Sequence, residues 1–118
     1  MDQRQPSIEF SGEIPIDLQA QTLAHAIIDK LQHLLSKQRH NKNVETNELD
    51  ELYGFSYDLK QLITNQPQHF NASEQDFIIH LFERIKELAQ TKQGCDSNEL
   101  IILEANAETL LTELQRNE

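Results

Sequence analysis

The sequence predicts an all-α fold: an antiparallel up-down four-helix bundle with an extended N-terminal arm. Apolar residues near the carboxyl end recur at spacings of three and four, which requires one helix with a buried seam. These residues are Leu100, Leu103, Ala107, Leu110 and Leu114. Three earlier segments show similar patterns, and only three Gly and three Pro interrupt the 118 residues. Because helices joined by short connections favour antiparallel neighbours, the four helices should run up and down around one core.

We expect residues 1–16 to form the arm and residues 17–118 to form one bundle domain. In the arm, polar and apolar side chains alternate around Ile8 and Phe10, as in an extended segment, and Pro15 prevents a continuous helix. Ile8 and Phe10 therefore share an apolar side. The sequence leaves three occupants of that side open: the bundle itself, the arm of a second subunit, or a partner protein.

The first helix is predicted to begin after Asp17, whose carboxylate can cap free backbone amides, and to end near Arg39. At about 100° per residue, His25, Asp29 and His33 fall on its polar side and should face solvent. Its apolar residues gather on the other side: Ala20, Leu23, Ala24, Ile27, Ile28, Leu31, Leu34 and Leu35.

A second helix is predicted to start at Thr46 or Asn47 and to end near Asn65, before Pro67. Gly54 lies on the polar side of its pattern, where glycine costs about 1 kcal/mol relative to alanine. We therefore expect a kink or a frayed first half. The inward residues of this helix are Leu49, Leu52, Phe55, Leu59, Leu62 and Ile63.

The third helix is predicted to begin at a capping box formed by Ser73 and Asp76, and to end at Gly94 as a C-terminal cap. A similar pair, Asp96 with Glu99, predicts the start of the last helix, which carries the leucine seam. The inward residues of the third helix are Phe77, Ile78, Leu81, Phe82, Ile85, Leu88 and Ala89.

The charge of the chain restricts its partners. Twenty acidic and ten basic residues give a formal net charge of -10. The resulting field repels polyphosphate backbones, so direct nucleic-acid binding is not expected. No apolar run approaches the roughly 20 residues of a membrane span, and the N-terminal residues do not resemble a secretory or organellar leader. These features predict a cytoplasmic location and no membrane contact. The single cysteine, Cys95, cannot close an internal disulfide, which agrees with a reducing compartment.

Two rows of polar residues have a helical spacing that suits metal ligands. They are His25, Asp29 and His33 in the first helix, and Asp76, His80 and Glu83 in the third. Both rows are expected on the solvated outside of the bundle, whereas a metal site gathers ligands from several elements in a dry pocket. The Glu-x-x-His pattern of di-iron bundles is also missing, because Phe77 stands three residues before His80. No metal and no cofactor are predicted.

Catalytic signatures are missing from the sequence, which contains no Gly-rich phosphate loop, Gly-x-Ser-x-Gly elbow or His-Glu-x-x-His helix. We therefore expect a protein that is not an enzyme. An exposed His25 on a long helix of a four-helix bundle would resemble the phosphate-accepting histidine of histidine phosphotransfer domains, which is the enzyme-like alternative. The His-x-Leu-Lys-Gly pattern of that family is not met, since Ile27, Ile28 and Asp29 occupy its last three positions.

Apolar and aromatic residues outside the inward faces indicate a binding surface. Ile101 and Ile102 point away from the leucine seam, and Tyr53 and Tyr57 flank Gly54 off the inner face of the second helix. Together with the arm, the predicted partner-binding residues are Ile8, Phe10, Tyr53, Tyr57, Ile101 and Ile102. The sequence thus favours a small acidic protein-interaction module, such as an adaptor, secretion chaperone, immunity protein or regulatory inhibitor. A homodimer is a further expectation, because twofold dimers are the commonest assembly of small soluble proteins.

A nucleic-acid mimic that occupies a basic groove is the second alternative. Its charges would come from the second and last helices: Glu45, Glu48, Asp50, Glu51, Glu104, Glu108 and Glu113.

Overall fold

The computed structural model describes residues 15–40, 46–91 and 97–116 and confirms the all-α four-helix bundle. Its helical elements are α1 (Ile16–Arg39), α2 (Thr46–Asn65), a short 3-10 turn (Pro67–His69), α3 (Ala72–Thr91) and α4 (Ser97–Arg116). Helix α1 packs against α2 and α4, and α3 packs against the same two helices, so the four helices surround one core in chain order. The described ranges contain no strand.

Helix α1 begins at Ile16, and the prediction that Asp17 caps it is wrong. Pro15 is the N-cap residue, no side chain caps the first turn, and the Gln19 amide donates to the Pro15 carbonyl at 3.0 Å. Proline is tolerated at this position because it has no N–H that the helix start would leave unpaired. Asp17 lies inside the first turn, near the positive end of the helix dipole. Ile16, which we assigned to the arm, packs against the core.

Helix α3 begins at a capping box two residues before the predicted one. The Asn71 side-chain oxygen accepts the backbone N–H of Glu74 at 2.8 Å, and the Glu74 carboxylate accepts the N–H of Asn71 at 2.9 Å. Ser73 and Asp76 lie within the helix instead. Asparagine is among the best N-cap residues, and a glutamate three residues later completes the reciprocal pair. Because Glu74 is buried, this pair fixes the start of α3 against the rest of the fold.

The interior is built from the predicted apolar residues. All of the α1 stripe and all of the α4 seam are buried. In α2 and α3 some inward residues are only partly buried but pack against the same core: Phe55, Leu62, Phe77 and Leu88. Helix α2 is continuous through Gly54, so its first half is not frayed. The buried hydroxyl of Ser56 donates to the Tyr53 carbonyl at 2.8 Å, which satisfies a polar group that the core would otherwise leave unpaired.

Ion pairs join α1 to α2 in an antiparallel register. Lys30 pairs with Glu51 and Lys37 pairs with Glu48, so positions that advance along α1 meet positions that recede along α2. The up-down course of the other helices stays a prediction of the sequence. The predicted caps at Gly94 and Asp96 lie outside the described residues.

Candidate functional site

The six predicted partner-binding residues do not form one surface. Ile101 and Ile102 lie on α4, whereas Tyr53 and Tyr57 lie on α2, and these two helices occupy opposite corners of the bundle. Ile8 and Phe10 lie outside the described residues. The candidate site therefore consists of two separate surfaces, one on α4 and one between α2 and α3.

The outer face of α4 exposes large aliphatic side chains. Ile101 is 48% exposed and Ile102 is 46% exposed, although every residue of the seam on the same helix is buried. At about 100° per residue, both isoleucines project away from the seam. Neither isoleucine belongs to the described core, because the seam residues already fill the side of α4 that faces the bundle.

Three small residues extend this exposed surface along α4. Ala105, Thr109 and Thr112 are exposed and continue from Ile102 at spacings of three, four and three. Each threonine hydroxyl donates to the carbonyl four residues earlier at 3.0 Å, so neither hydroxyl requires an acceptor from outside α4. We define the outer stripe as Ile101, Ile102, Ala105, Thr109 and Thr112. Its last three members were not predicted, although their spacing could have revealed them.

Carboxylates border the outer stripe along the edge that contains Ile101. Glu104 and Glu108 follow this edge by helix geometry. The Glu104 carboxylate accepts a hydrogen bond from the Gln32 side-chain amide of α1 at 2.8 Å. Glu108 is exposed and forms no ion pair with any described residue. Within the described ranges, no cation pairs with either carboxylate of this edge.

The opposite edge, which contains Ile102, is also acidic but is partly neutralised. Glu99 pairs with Arg84 of α3 at 2.9 Å, and Glu113 pairs with Arg116 at 3.4 Å. The outer stripe is therefore uncharged and lies between two acidic edges. An open groove lies between α3 and α4, and its lining residues are Ser73, Asp76, Phe77, His80, Leu81, Arg84 and Asn106.

The second surface is an aromatic cluster between α2 and α3. The ring of Phe82 lies 5.6 Å from that of Tyr53 and 6.4 Å from that of Tyr57, and the two tyrosine rings are 6.2 Å apart. The Lys60 ammonium lies 4.7 Å from the centre of the Phe82 ring. Phe82 is buried beneath these groups rather than in the continuous core, while Tyr57 stays 40% exposed. Packing within the fold thus accounts for most of this cluster, because tilted aromatic pairs at such distances are stabilising.

The predicted histidine rows do not converge on a metal site. His25, Asp29 and His33 are all exposed, which confirms the prediction that they face solvent, and His33 Nε2 also lies 2.9 Å from the Glu48 carboxylate of α2. Steps of four residues drift by about 40° each, which turns His33 toward α2. His80 Nδ1 donates to the Asp76 carbonyl at 3.0 Å. Across the described ranges, no group of three potential ligands could hold a metal ion.

The acidic residues of α2 are less available than the nucleic-acid mimic requires. Glu48 is buried against Lys37, and Glu51 pairs with Lys30. Of the α2 acids in the described chain, Asp50 remains exposed, while Glu45 lies outside the described residues. Two of the α2 carboxylates that this alternative needs are therefore engaged within the fold, and the nucleic-acid mimic stays an alternative prediction of the sequence.

None of the described helices is both long and apolar enough to cross a membrane.

Comparison with known proteins identifies no relative of this chain. No family model matches the sequence, and neither a curated protein nor a solved structure matches the chain.

Proposed function

We propose that this chain is a small acidic protein-interaction module that binds a partner protein through the outer face of α4. The supporting observation is the near-half exposure of Ile101 and Ile102 on a helix whose opposite face already fills the core. Burial of the exposed part of each side chain by a partner would contribute about 1 kcal/mol. An adaptor, a secretion chaperone, an immunity protein and a regulatory inhibitor all work in this way.

The same proposal includes a cytoplasmic location and no catalytic reaction. Tyr53, Tyr57, Ile8 and Phe10 stay proposed contact residues. Tyr57 is the best placed of the tyrosines, since it is the more exposed member of the aromatic cluster.

Aspartate substitutions on α4 test the proposal. Ile101→Asp and Ile102→Asp should leave the helical circular dichroism nearly unchanged, because both side chains are outside the core. They should abolish capture of the partner that is crosslinked to the full chain in its native cell. Leu18→Asp is the matched control, because Leu18 is 46% exposed on α1 and should be dispensable for capture. Unfolding of the monomer by both isoleucine substitutions, or undiminished capture, would contradict the proposal.

A second copy of the chain is the alternative occupant of this face. Sedimentation at micromolar concentration should then reveal a species of twice the 13.7 kDa chain mass, which Ile102→Asp should dissociate. A single 13.7 kDa species would exclude the homodimer without affecting a different protein partner.

Phosphotransfer through His25 is the second candidate function, and the exposed position of His25 on α1 favours it. Acetyl phosphate or a phosphorylated response regulator should then place an acid-labile phosphate on the full chain. His25→Gln should remove that label, and His69→Gln, which changes another exposed histidine, should not. An unlabelled protein with each of these donors would rule out this function.

A further inference from the structure

We infer that the outer stripe of α4 binds an amphipathic helix whose apolar face is flanked by lysine or arginine. This inference rests on the proposed function and names the chemistry of the partner. It has three supports: the shape of the stripe, the absence of charge within it, and the carboxylates along both of its edges.

The shape of the outer stripe fits a helix. Its five residues occupy an arc of about 100° and extend for roughly 17 Å along α4, which is about three turns. The spacing of three and four from Ile102 to Thr112 is the spacing of an apolar seam that pairs with a second seam. Ala105 and Thr109 are small and lie in the middle, so a partner helix can approach closely there with large apolar side chains of its own.

Backbone hydrogen bonding also favours a helical partner. A strand can bind by adding to a sheet edge, but the described ranges of this chain contain no strand to extend. The amides and carbonyls of α4 are used within the helix, and the stripe hydroxyls of Thr109 and Thr112 already donate to carbonyls of α4. An extended segment would therefore bury its backbone polar groups without partners, whereas a helix pairs its own.

The acidic edges select a basic partner. Glu104 and Glu108 follow one edge and form no ion pair with a described residue, whereas Glu99 and Glu113 follow the other edge and already pair with Arg84 and Arg116, in a chain of net charge -10. Lysine or arginine beside the apolar face of a partner helix would meet these carboxylates, in the way that flanking charges choose partners in coiled coils. A second copy would bring the same acidic edges against themselves, because a twofold interface uses one patch twice. Charge therefore favours a basic helix over a homodimer.

Two synthetic peptides test the charge and shape requirements with the full chain. The first has roughly three heptads, with leucine at positions a and d and lysine at e and g; the second differs only by glutamate at e and g. Fluorescence anisotropy should show binding of the lysine peptide that weakens as salt is raised, and at least roughly tenfold weaker binding of the glutamate peptide. Equal binding of both peptides, or of neither, would overturn the inference.

A matched pair of threonine substitutions locates the binding surface. Thr109 and Thr64 are both exposed, and each hydroxyl donates to the carbonyl four residues earlier at 3.0 Å. Thr109→Arg and Thr64→Arg therefore change the net charge equally, but only the first places a long cation in the outer stripe. We expect Thr109→Arg to weaken binding of the lysine peptide by roughly tenfold or more, and Thr64→Arg to change it by less than about threefold. Equal losses would mean that the peptide follows net charge alone, which would contradict the inference.

Photo-crosslinking from position 105 of the full chain in its native cell separates this inference from the proposed function. The sequence of the crosslinked segment should be an amphipathic helix with basic flanks. A second copy of this chain, an acidic segment or an extended segment would overturn the inference and leave the proposed function in place. If no protein is crosslinked from Ala105 or from Ile102, both are wrong.

Discussion

At the scale of single residues, the Asn71–Glu74 capping box fixes where α3 begins. Both of its hydrogen bonds use groups that a helix start leaves without intrahelical partners. Asn71→Ala removes the hydrogen bond from the Glu74 backbone N–H to the Asn71 side chain, so this N–H loses its acceptor. We expect a loss of about 1 kcal/mol in the free energy of unfolding, measured by urea denaturation.

Ser73→Ala is the control for this prediction, because Ser73 is the residue that the sequence pattern alone selected as the cap. Its side chain is exposed, so the substitution should change stability by less than about 0.5 kcal/mol. A larger loss from Ser73→Ala than from Asn71→Ala would place the start of α3 where the sequence put it.

A second residue-scale prediction concerns Glu48. Its carboxylate accepts two hydrogen bonds from the Lys37 ammonium of α1, at 2.9 and 3.0 Å. The same carboxylate lies beside His33, which is also on α1. Glu48→Ala should cost about 2 kcal/mol in urea denaturation, because these are charge-assisted bonds at the α1–α2 contact. Asp50→Ala, two residues away but exposed, should cost less than about 0.5 kcal/mol. Comparable losses would show that the Glu48 pair is no better than a surface contact.

Helix ends are the part of this fold that sequence patterns predicted least well. Within residues 71–76 two overlapping patterns fit a capping box, and the choice between Asn71 and Ser73 depends on which residue leaves the helical conformation and on the burial of Glu74. The same limit applies at α1, where the sequence pattern selected Asp17 as the N-cap residue but Pro15 occupies that position. Periodicity predicts which residues face inward, but it does not determine the first residue of a helix.

At the scale of elements, α4 has two faces with the same spacing and opposite surroundings. The seam lies in the core, and the outer stripe lies in solvent. Leu103→Ala should therefore cost about 3 kcal/mol, through lost burial and a residual cavity. Ile102→Ala should cost less than about 0.5 kcal/mol in the same urea titration.

The comparison between these two variants is informative because both shorten a large aliphatic residue on the same helix. If Ile102→Ala were as damaging as Leu103→Ala, the outer stripe would belong to the interior of the free protein. The proposed binding surface on α4 would then be wrong.

The seam of α4 could be predicted from sequence because leucine at regular spacing has one physical explanation. The outer stripe was predicted only at Ile101 and Ile102, since alanine and threonine do not stand out as apolar positions. The two threonine hydroxyls donate to carbonyls of the helix backbone, and only the structure reveals these contacts. The aromatic cluster was also predicted only in part, because Phe82 reaches Tyr53 and Tyr57 across a helix contact that sequence spacing does not encode.

At the scale of the whole molecule, composition determined the fold class but not the placement of charge. Few glycines and prolines, with leucine-rich stripes, predicted four helices around one core, and that architecture is confirmed. A net charge of -10 predicted an acidic surface, but the structure assigns several carboxylates to internal ion pairs, among them Glu48, Glu51 and Glu99. Which acids remain for a partner, such as Glu108, depends on pairing between helices that are distant in sequence.

The excess negative charge predicts opposite effects of salt on folding and on binding. Raising NaCl from about 10 mM to about 500 mM screens the repulsion among exposed carboxylates. We therefore expect the free energy of unfolding of the chain without peptide to rise by about 1 kcal/mol, which corresponds to roughly 4 °C in melting midpoint. Weakening of the exposed ion pairs opposes this gain only slightly, because such pairs contribute little in water. The lysine peptide, in contrast, should bind more weakly as salt rises, since its attraction to the acidic edges is screened.

Replacing exposed acids that form no ion pair with a described residue provides the control for this prediction. Asp50→Lys with Glu108→Lys lowers the net negative charge without touching an ion pair between described residues, so the melting midpoint should rise less steeply with salt. Glu108→Lys alone should also weaken binding of the lysine peptide, whereas Asp50→Lys, on α2, should affect that binding less. A melting midpoint that falls as salt is raised would mean that the ion pairs between helices outweigh the repulsion. The acidic surface would then be held for stability, and its role in selecting a basic partner would lose its physical basis.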